Sequence, residues 1–342
     1  MPFPTPPHRS CKSNSETVRF HRCVVTGVLS VALSGLFWAT QPVSAEQDQA
    51  SRSYEQGDFS AALLEIKPAA EAGNPDAQHN LGVLYDRGLG VRKNTQEALK
   101  WFRKAAKQGQ PAAQYNLGLI LYRGEGVPAN QSEAAKWFKK SADQGLAEAQ
   151  YSLGLLYQRG EGVPKNYQEA IRLFQSAGEH GYPAAYYTLG MMYRRGEGVP
   201  ASAVESRKLH HLAAALEVAD AQFSLGETYD KDTGKSENQG IACRWYRLAA
   251  DQGYVEAQYR LGLKYEQGVG VPQDSIQALF WLEVATRYGH SAARVARDRL
   301  TILLTPAEAS EARRLAQEWR PKTAASSDCL SLPYSLFAAA VI

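Results

Sequence analysis

The side chains whose types could do chemistry are few, and most of them recur. His210 and His211 are adjacent, so on a helix they point to different sides and cannot easily chelate one ion. His79, His180 and His290 fall at separate points of the chain, no ligand set is completed, and no metal is expected. Gly234-Lys235-Ser236 has the ending of a phosphate-binding loop, but neither the earlier glycine spacing nor a strand precedes it, so it is set aside. No serine, threonine or cysteine stands in a context that marks a nucleophile, although a triad assembled from distant segments would escape such a reading. The expectation is a non-enzyme with no cofactor.

Two columns of residues remain. An alanine returns every 36 residues, at Ala77, Ala113, Ala149, Ala185, Ala221, Ala257 and Ala293. Two places after it come His79, Tyr115, Tyr151, Tyr187, Phe223 and Tyr259. Eight places further come Arg87, Arg123, Arg159, Arg195, Lys231 and Gln267. Tyr and Arg join a flat apolar face to hydrogen-bonding capacity and are enriched at binding hot spots, so a groove carrying both would suit an acidic peptide or a glycan strand. Each column also has a plainer reading: the tyrosines pack between units, and the arginines sit where a helix C-terminus favours positive charge. Glu125, Glu161 and Glu197 recur beside the arginines, where surface pairing contributes under about 1 kcal/mol.

The elements that must position these columns can be read from one unit, Ala113 to Ala149. Ala113, Leu117, Ile120 and Leu121 fall at helical spacing, with Gly118 among them where another backbone can come close. Gly124-Glu125-Gly126-Val127-Pro128 ends that helix in a turn. Asn130 caps a second helix, and Glu133 three residues later completes a capping-box pattern. Ala134, Trp137, Phe138 and Ala142 form its apolar stripe, and Gly145 ends it. Each unit is a helical hairpin, and a fixed period of this length marks a solenoid whose units bury their apolar faces on one another.

The spacing A-Q-Y-x-L-G-x-x-Y, then G-x-G-V, then E-A-x-x-W-F-x-K-A-A-x-Q-G resembles the Sel-one-like repeat, a relative of the tetratricopeptide repeat. The resemblance implies an all-α, right-handed α-solenoid with a 36-residue period that scaffolds or recruits other proteins, and it supplies no catalytic residues. If the first helices line the inner surface, as in the tetratricopeptide relatives, the concave partner-binding face would carry Tyr115, Tyr151, Tyr187, Phe223, Tyr259, Arg87, Arg123, Arg159 and Arg195. In this family the partner is often a cell-wall enzyme or a secretion component. Binding to peptidoglycan or exopolysaccharide is the alternative. Some relatives are associated with β-lactam binding or hydrolysis, but this chain lacks their cysteine pairs.

The remaining chain divides around the repeats. Arg9, Lys12, Arg19 and Arg22 precede an apolar run from Cys23 to Trp38, and Val43-Ser44-Ala45 suits cleavage after Ala45. Residues 1–45 therefore read as a secretory signal peptide, which places the mature protein in a bacterial periplasm or outside the cell; an uncleaved anchor is the rival, in a run short of the roughly 20 residues that span a bilayer. Of 38 basic and 35 acidic residues, the signal holds four and one, so 34 of each remain. A neutral chain makes nucleic acid a poor partner, because its binding needs a basic surface. No membrane association is expected after cleavage. Residues 46–76 hold a degenerate capping repeat, 77–292 six full repeats, 293–320 a capping pair of helices, and 321–342 a disordered tail. The fifth repeat, at 221–256, lacks Val-Pro in its turn, so the stack is expected to loosen or bend there, through a hinge or through simple drift. Cys243 and Cys329 survive cleavage and are expected to stay unpaired.

Overall fold

The computed structural model describes residue 53, residues 58–232 and residues 236–322. The expected signal, most of the polar N-terminal cap, part of the fifth turn and the tail from residue 323 lie outside the described residues. Within them there are fifteen α-helices and no strand. Their order is α1 (Phe59–Glu71), α2 (Pro75–Arg87), α3 (Thr95–Lys107), α4 (Pro111–Arg123), α5 (Gln131–Ala142), α6 (Ala147–Arg159), α7 (Tyr167–Glu179) and α8 (Ala184–Arg195). The series continues with α9 (Ala203–Ala215), α10 (Ala219–Lys231), α11 (Ser236–Asp251), α12 (Val255–Gln267), α13 (Ser275–Arg287), α14 (Ser291–Leu303) and α15 (Pro306–Glu318). From α2 to α13 they pair as six hairpins, each packed on the next, and α14 and α15 both pack on α13. This is an α-solenoid.

One glycine in each first helix sets how closely a hairpin closes. A Cβ on Gly118 would lie 2.6 Å from the Phe138 ring, and on Gly154 2.7 Å from the Phe174 ring. The same approach recurs at Gly82 on Phe102, Gly190 on His210, Gly226 on Tyr246 and Gly262 on Leu282. The large residue opposite therefore lies against bare backbone, and Phe102, Phe138, Phe174 and Tyr246 are among the most completely buried side chains. At the turn, Gly124 takes φ 73° and its N–H closes on Ile120 O at 2.9 Å, a left-handed helix end.

Asn130 accepts from the Glu133 N–H at 3.0 Å, as its position suggests. The reciprocal half of the capping box is replaced: the Glu133 carboxylate instead accepts from Trp137 Nε1 at 3.5 Å, because Trp137 lies one turn on along the same face. A complete capping box does form at Thr305 and Glu308, with Pro306 opening α15.

A glutamine ladder joins successive hairpins. Gln114 Nε2 donates to Ala106 O at 3.2 Å, and Gln144 Nε2 donates to Gln114 Oε1 at 2.8 Å. The pattern repeats with Gln78 and Gln108, Gln150 and His180, and Gln222 and Gln252. Each buried amide thereby satisfies the last carbonyls of the preceding helix, which would otherwise be unpaired.

The fourth repeat departs from this. Tyr186 stands in the glutamine column and Leu216 in its partner column, so neither ladder bond forms there. Gly178 replaces the usual alanine, and its missing Cβ would lie 2.5 Å from the Tyr186 ring. Glu217 takes φ 62° where other repeats place glycine. In the fifth repeat α11 is 16 residues long against 12 or 13 for the other helices, and the hairpin keeps its close approach at Gly226 and Tyr246. A polar cluster takes over near its turn: Lys264 pairs with Asp230 and donates to Gln239 Oε1 at 2.7 Å, while the Tyr246 hydroxyl donates to Asp230 at 3.2 Å. Cys243 is a free, buried thiol pushed up to about 11 by burial, and Cys329 lies outside the described residues.

Candidate functional site

The solvent-side face of the first helices carries both columns. Tyr115, Tyr151, Tyr187, Phe223 and Tyr259 are all half-buried. Four of them lean on the large residue of their own second helix: Tyr115 on Phe138 at 5.7 Å between ring centroids, Tyr151 on Phe174 at 5.5 Å, Tyr187 on His210 at 5.1 Å and Phe223 on Tyr246 at 5.7 Å. His79 does the same with Phe102 at 5.8 Å. The polar tips bond to the following repeat. Asn116 Nδ2 and His79 Nε2 are 3.0 Å apart, the Tyr115 hydroxyl bonds Ser152, and the Tyr151 hydroxyl lies 3.1 Å from Thr188 Oγ1. Burial raises the pKa of Tyr115 and Tyr151, so their hydroxyls remain protonated.

The arginine column has a second set of neighbours. Arg123, Arg159 and Arg195 lie 3.4, 3.9 and 3.6 Å from Glu125, Glu161 and Glu197 of their own turns. The preceding repeat reaches the same carboxylates, through the Tyr122 hydroxyl to Glu161 at 2.7 Å and Gln158 Nε2 to Glu197 at 2.8 Å. Arg87 is exposed, and its turn carries Leu89 where the others carry glutamate. Lys231 pairs with Glu227 at 3.9 Å, and Gln267 is exposed.

Sequence reasoning missed a second aromatic position, three places before the repeating alanine. Tyr182 lies 4.7 Å from Tyr151, Tyr254 stacks at 4.8 Å on Phe223, and His290 stacks at 4.4 Å on Tyr259. The signal was present in the alignment of units, but Gln110, Leu146 and Val218 occupy the same column and dilute it. A missed acidic position lies one place before the alanine, at Asp76, Glu148, Asp220 and Glu256. Burial raises the Asp220 carboxyl above the usual range. Burial, with Asp220 next, pushes the Tyr187 hydroxyl up to about 12 and raises Tyr254 as well. Glu256 is held below the usual carboxylate range: burial opposes this, and His290 at 2.8 Å and Arg260 at 2.9 Å outweigh it.

The face is thus mixed in charge along its length. Repeats two to four present half-buried tyrosines beside arginines that face glutamates of their own turns, the aromatic pairs fall at Tyr151–Tyr182, Phe223–Tyr254 and Tyr259–His290, and Glu227 and Glu256 pair with Lys231 and with Arg260 and His290. It offers hydrogen-bond donors, acceptors and ring edges in a repeating row, which can hold an extended chain. Among the described residues, no three His, Cys, Asp or Glu side chains converge on a metal-sized site.

Six stretches, residues 75–110, 111–146, 147–182, 183–218, 219–254 and 255–290, each match the family model described as Sel1 repeat. Among solved structures, a Sel1 repeat protein from Oxalobacter formigenes is 37% identical, with 70% of this chain and 99% of that one covered at a TM-score of 0.66. A protective antigen present in uropathogenic Escherichia coli strains, displaying an SLR fold, is 23% identical over 80% of this chain and 85% of its own, at a TM-score of 0.36. A curated relative, described as a sel1-like repeat-containing protein of Acanthamoeba polyphaga mimivirus, is 50% identical over 36 residues. That match spans 10% of this chain and 6% of the relative.

Proposed function

The chain belongs to the Sel1 repeat family, and from that premise we propose that it is a secreted or periplasmic bacterial scaffold that recruits a protein partner along its first-helix face. Sel1 repeat proteins are generally non-enzymatic scaffolds for protein–protein interaction. The observation that carries the reading here is the repeating row itself: half-buried aromatics, Tyr115 and Tyr151 among them bonded to the next repeat, flanked by the arginine–glutamate pairs of the turns. Such a row is preorganised, because its rings are already fixed before a ligand arrives. The location rests on the sequence of residues 1–45. Recruitment leaves the partner chemically unchanged, and the thiol of Cys243, buried and protonated at neutral pH, offers no nucleophile. A glycan strand finds less support on this face, since the rings that would stack a sugar lean on Phe138, Phe174 and Tyr246 instead.

The test is affinity capture from a bacterial periplasmic extract with the full chain, beside a variant carrying Arg87→Glu and Arg195→Glu. Both positions are exposed, so the fold is expected to hold, as circular dichroism would check. A specific protein captured by the native chain and depleted about tenfold with the variant supports the reading. Equal capture removes the face assignment. Binding of purified cell-wall glycan with no protein captured replaces the scaffold with a glycan-binding module.

A further inference from the structure

We propose that the outer face of α3 and α5 is a docking surface for an anionic phospholipid bilayer, separate from the first-helix face. Whole-chain neutrality hides a local imbalance: residues 86–140 carry eleven basic side chains and four acidic ones. Seven of the basic groups are exposed on two helices. Lys100, Arg103, Lys104 and Lys107 follow helical spacing along one side of α3, and Lys136, Lys139 and Lys140 occupy the same side of α5 one repeat later. The buried sides of the two helices share one apolar core through Phe102 and Phe138, so the two basic rows belong to adjacent hairpins. Lys100 pairs with Glu97 at 2.6 Å and Lys139 with Asp143 at 3.1 Å. The other five have no ion pair among the described residues.

The chemistry of the patch selects its occupant. The Lys104 ammonium sits 3.9 Å over the Trp101 ring and the Lys140 ammonium 4.2 Å over the Trp137 ring. One face of each indole is covered by the chain's own lysine, which leaves less ring to stack a nucleobase or a sugar. No large apolar side chain is exposed on α3 or α5, and a folded protein partner would find no anchor where lysine, depleted from interface cores, dominates. Six of the seven groups are lysines, point charges on flexible stems that need no fixed acceptor geometry, unlike the arginine fork. A plane of mobile phosphates satisfies such a set, as clustered lysines beside anionic headgroups do. A shallow hollow of about 320 Å³ beside Trp101 is bordered by Lys100, Arg103, Lys104 and Lys107, with Glu97 at its edge paired to Lys100.

The experiment is co-sedimentation of the full chain with phosphatidylcholine vesicles, with and without phosphatidylglycerol, at low and high salt. Arg9, Lys12, Arg19 and Arg22 before the apolar run 23–38 would themselves favour the anionic vesicles, so the readout is the change in the anionic excess between the native chain and the patch variant. The native chain should partition about tenfold more onto the anionic vesicles, and the excess should vanish at high salt. Lys104→Gln, Lys107→Gln, Lys136→Gln and Lys140→Gln together should remove most of the excess, the corresponding Lys→Arg set should keep it, and a control set of Arg207→Gln, Lys208→Gln, Arg244→Gln and Arg287→Gln should leave it intact. Equal partition onto the two lipids, or equal loss in the patch and control variants, overturns the proposal. So does a polyglutamate peptide bound through the patch while vesicles are ignored, which would make the partner an acidic protein.

Discussion

The second and third repeats and the fourth and fifth repeats reach the same hairpin packing by different means. In the second and third, a ring sits on the bare backbone of Gly118 or Gly154, Gln114 and Gln150 bond the preceding helix, and Tyr115 and Tyr151 bond the following one. In the fourth, Tyr186 and Leu216 remove both ladder bonds, His210 replaces the ring, and Glu217 holds a left-handed backbone. In the fifth, a Lys264–Asp230 pair with side chains 12% and 20% exposed stands near a turn that carries Val and Pro in the second, third, fourth and sixth repeats. The difference teaches that the fold needs the close glycine approach in every unit, while the bonds between units are negotiable. Because stability in a repeat array is a sum of units and nearest-neighbour interfaces, the fourth repeat is where that sum is smallest.

The largest predicted break in the comparison is Gly154→Ala. Its Cβ would lie 2.7 Å from the Phe174 ring, and the overpacking, about 2–3 kcal/mol, outweighs the roughly 1 kcal/mol that alanine adds to helix propensity. At the junction of the third and fourth repeats, Gly178→Ala should be comparably damaging alone and largely rescued by Tyr186→Gln, because the tyrosine ring fills the volume a Cβ at Gly178 would take. Urea unfolding of the single and double variants reads the coupling directly.

Acid sharpens the same contrast. His210 is held down to about 4, chiefly by burial and then by Arg194, against 6.5 for an unconstrained histidine. The unfolded chain therefore takes up the proton first, so this contribution is complete above about pH 6.5 and lost as pH falls toward 4, on the order of 2–3 kcal/mol. Phe138 and Phe174 occupy the equivalent places in the second and third repeats and do not titrate. His210→Phe should remove the extra acid sensitivity of the fourth repeat, measured as the difference in urea midpoint between neutral and mildly acidic buffer. A smaller effect is expected from Lys264→Met, about 2 kcal/mol of destabilisation, since it leaves the partly buried Asp230 without its cation. Glu217→Gly should stabilise by about 1 kcal/mol or less by relieving the left-handed strain, and thermal melting would show it.

Much of the architecture was legible because the residues that set it have one physical use. Gly124 supplies the left-handed helix end, Asn130 the side-chain cap and the recurring alanine the small buried contact, and their fixed spacing together marks the hairpin. The aromatic column was harder, because a tyrosine at that position can serve the groove, the interface or both, and only geometry shows the Tyr151 hydroxyl reaching Thr188. The glutamine ladder was missed for a different reason: a polar residue beside an apolar stripe looks like surface until its amide is seen closing on Ala106 O. The basic face of α3 and α5 was obscured by counting charge over the whole chain, which averages a local excess to zero.

Amide hydrogen exchange along the full chain under native conditions tests the central claim most directly, because it reports the opening free energy of each helix separately. Amides of α8 and α9 should exchange through openings of lower free energy than those of α4 to α7, with α10 and α11 between them. Uniform protection from α4 to α11, or stronger protection in α8 and α9 than in α6 and α7, would contradict the account that the shared bonds of the regular repeats set the local stability of the stack.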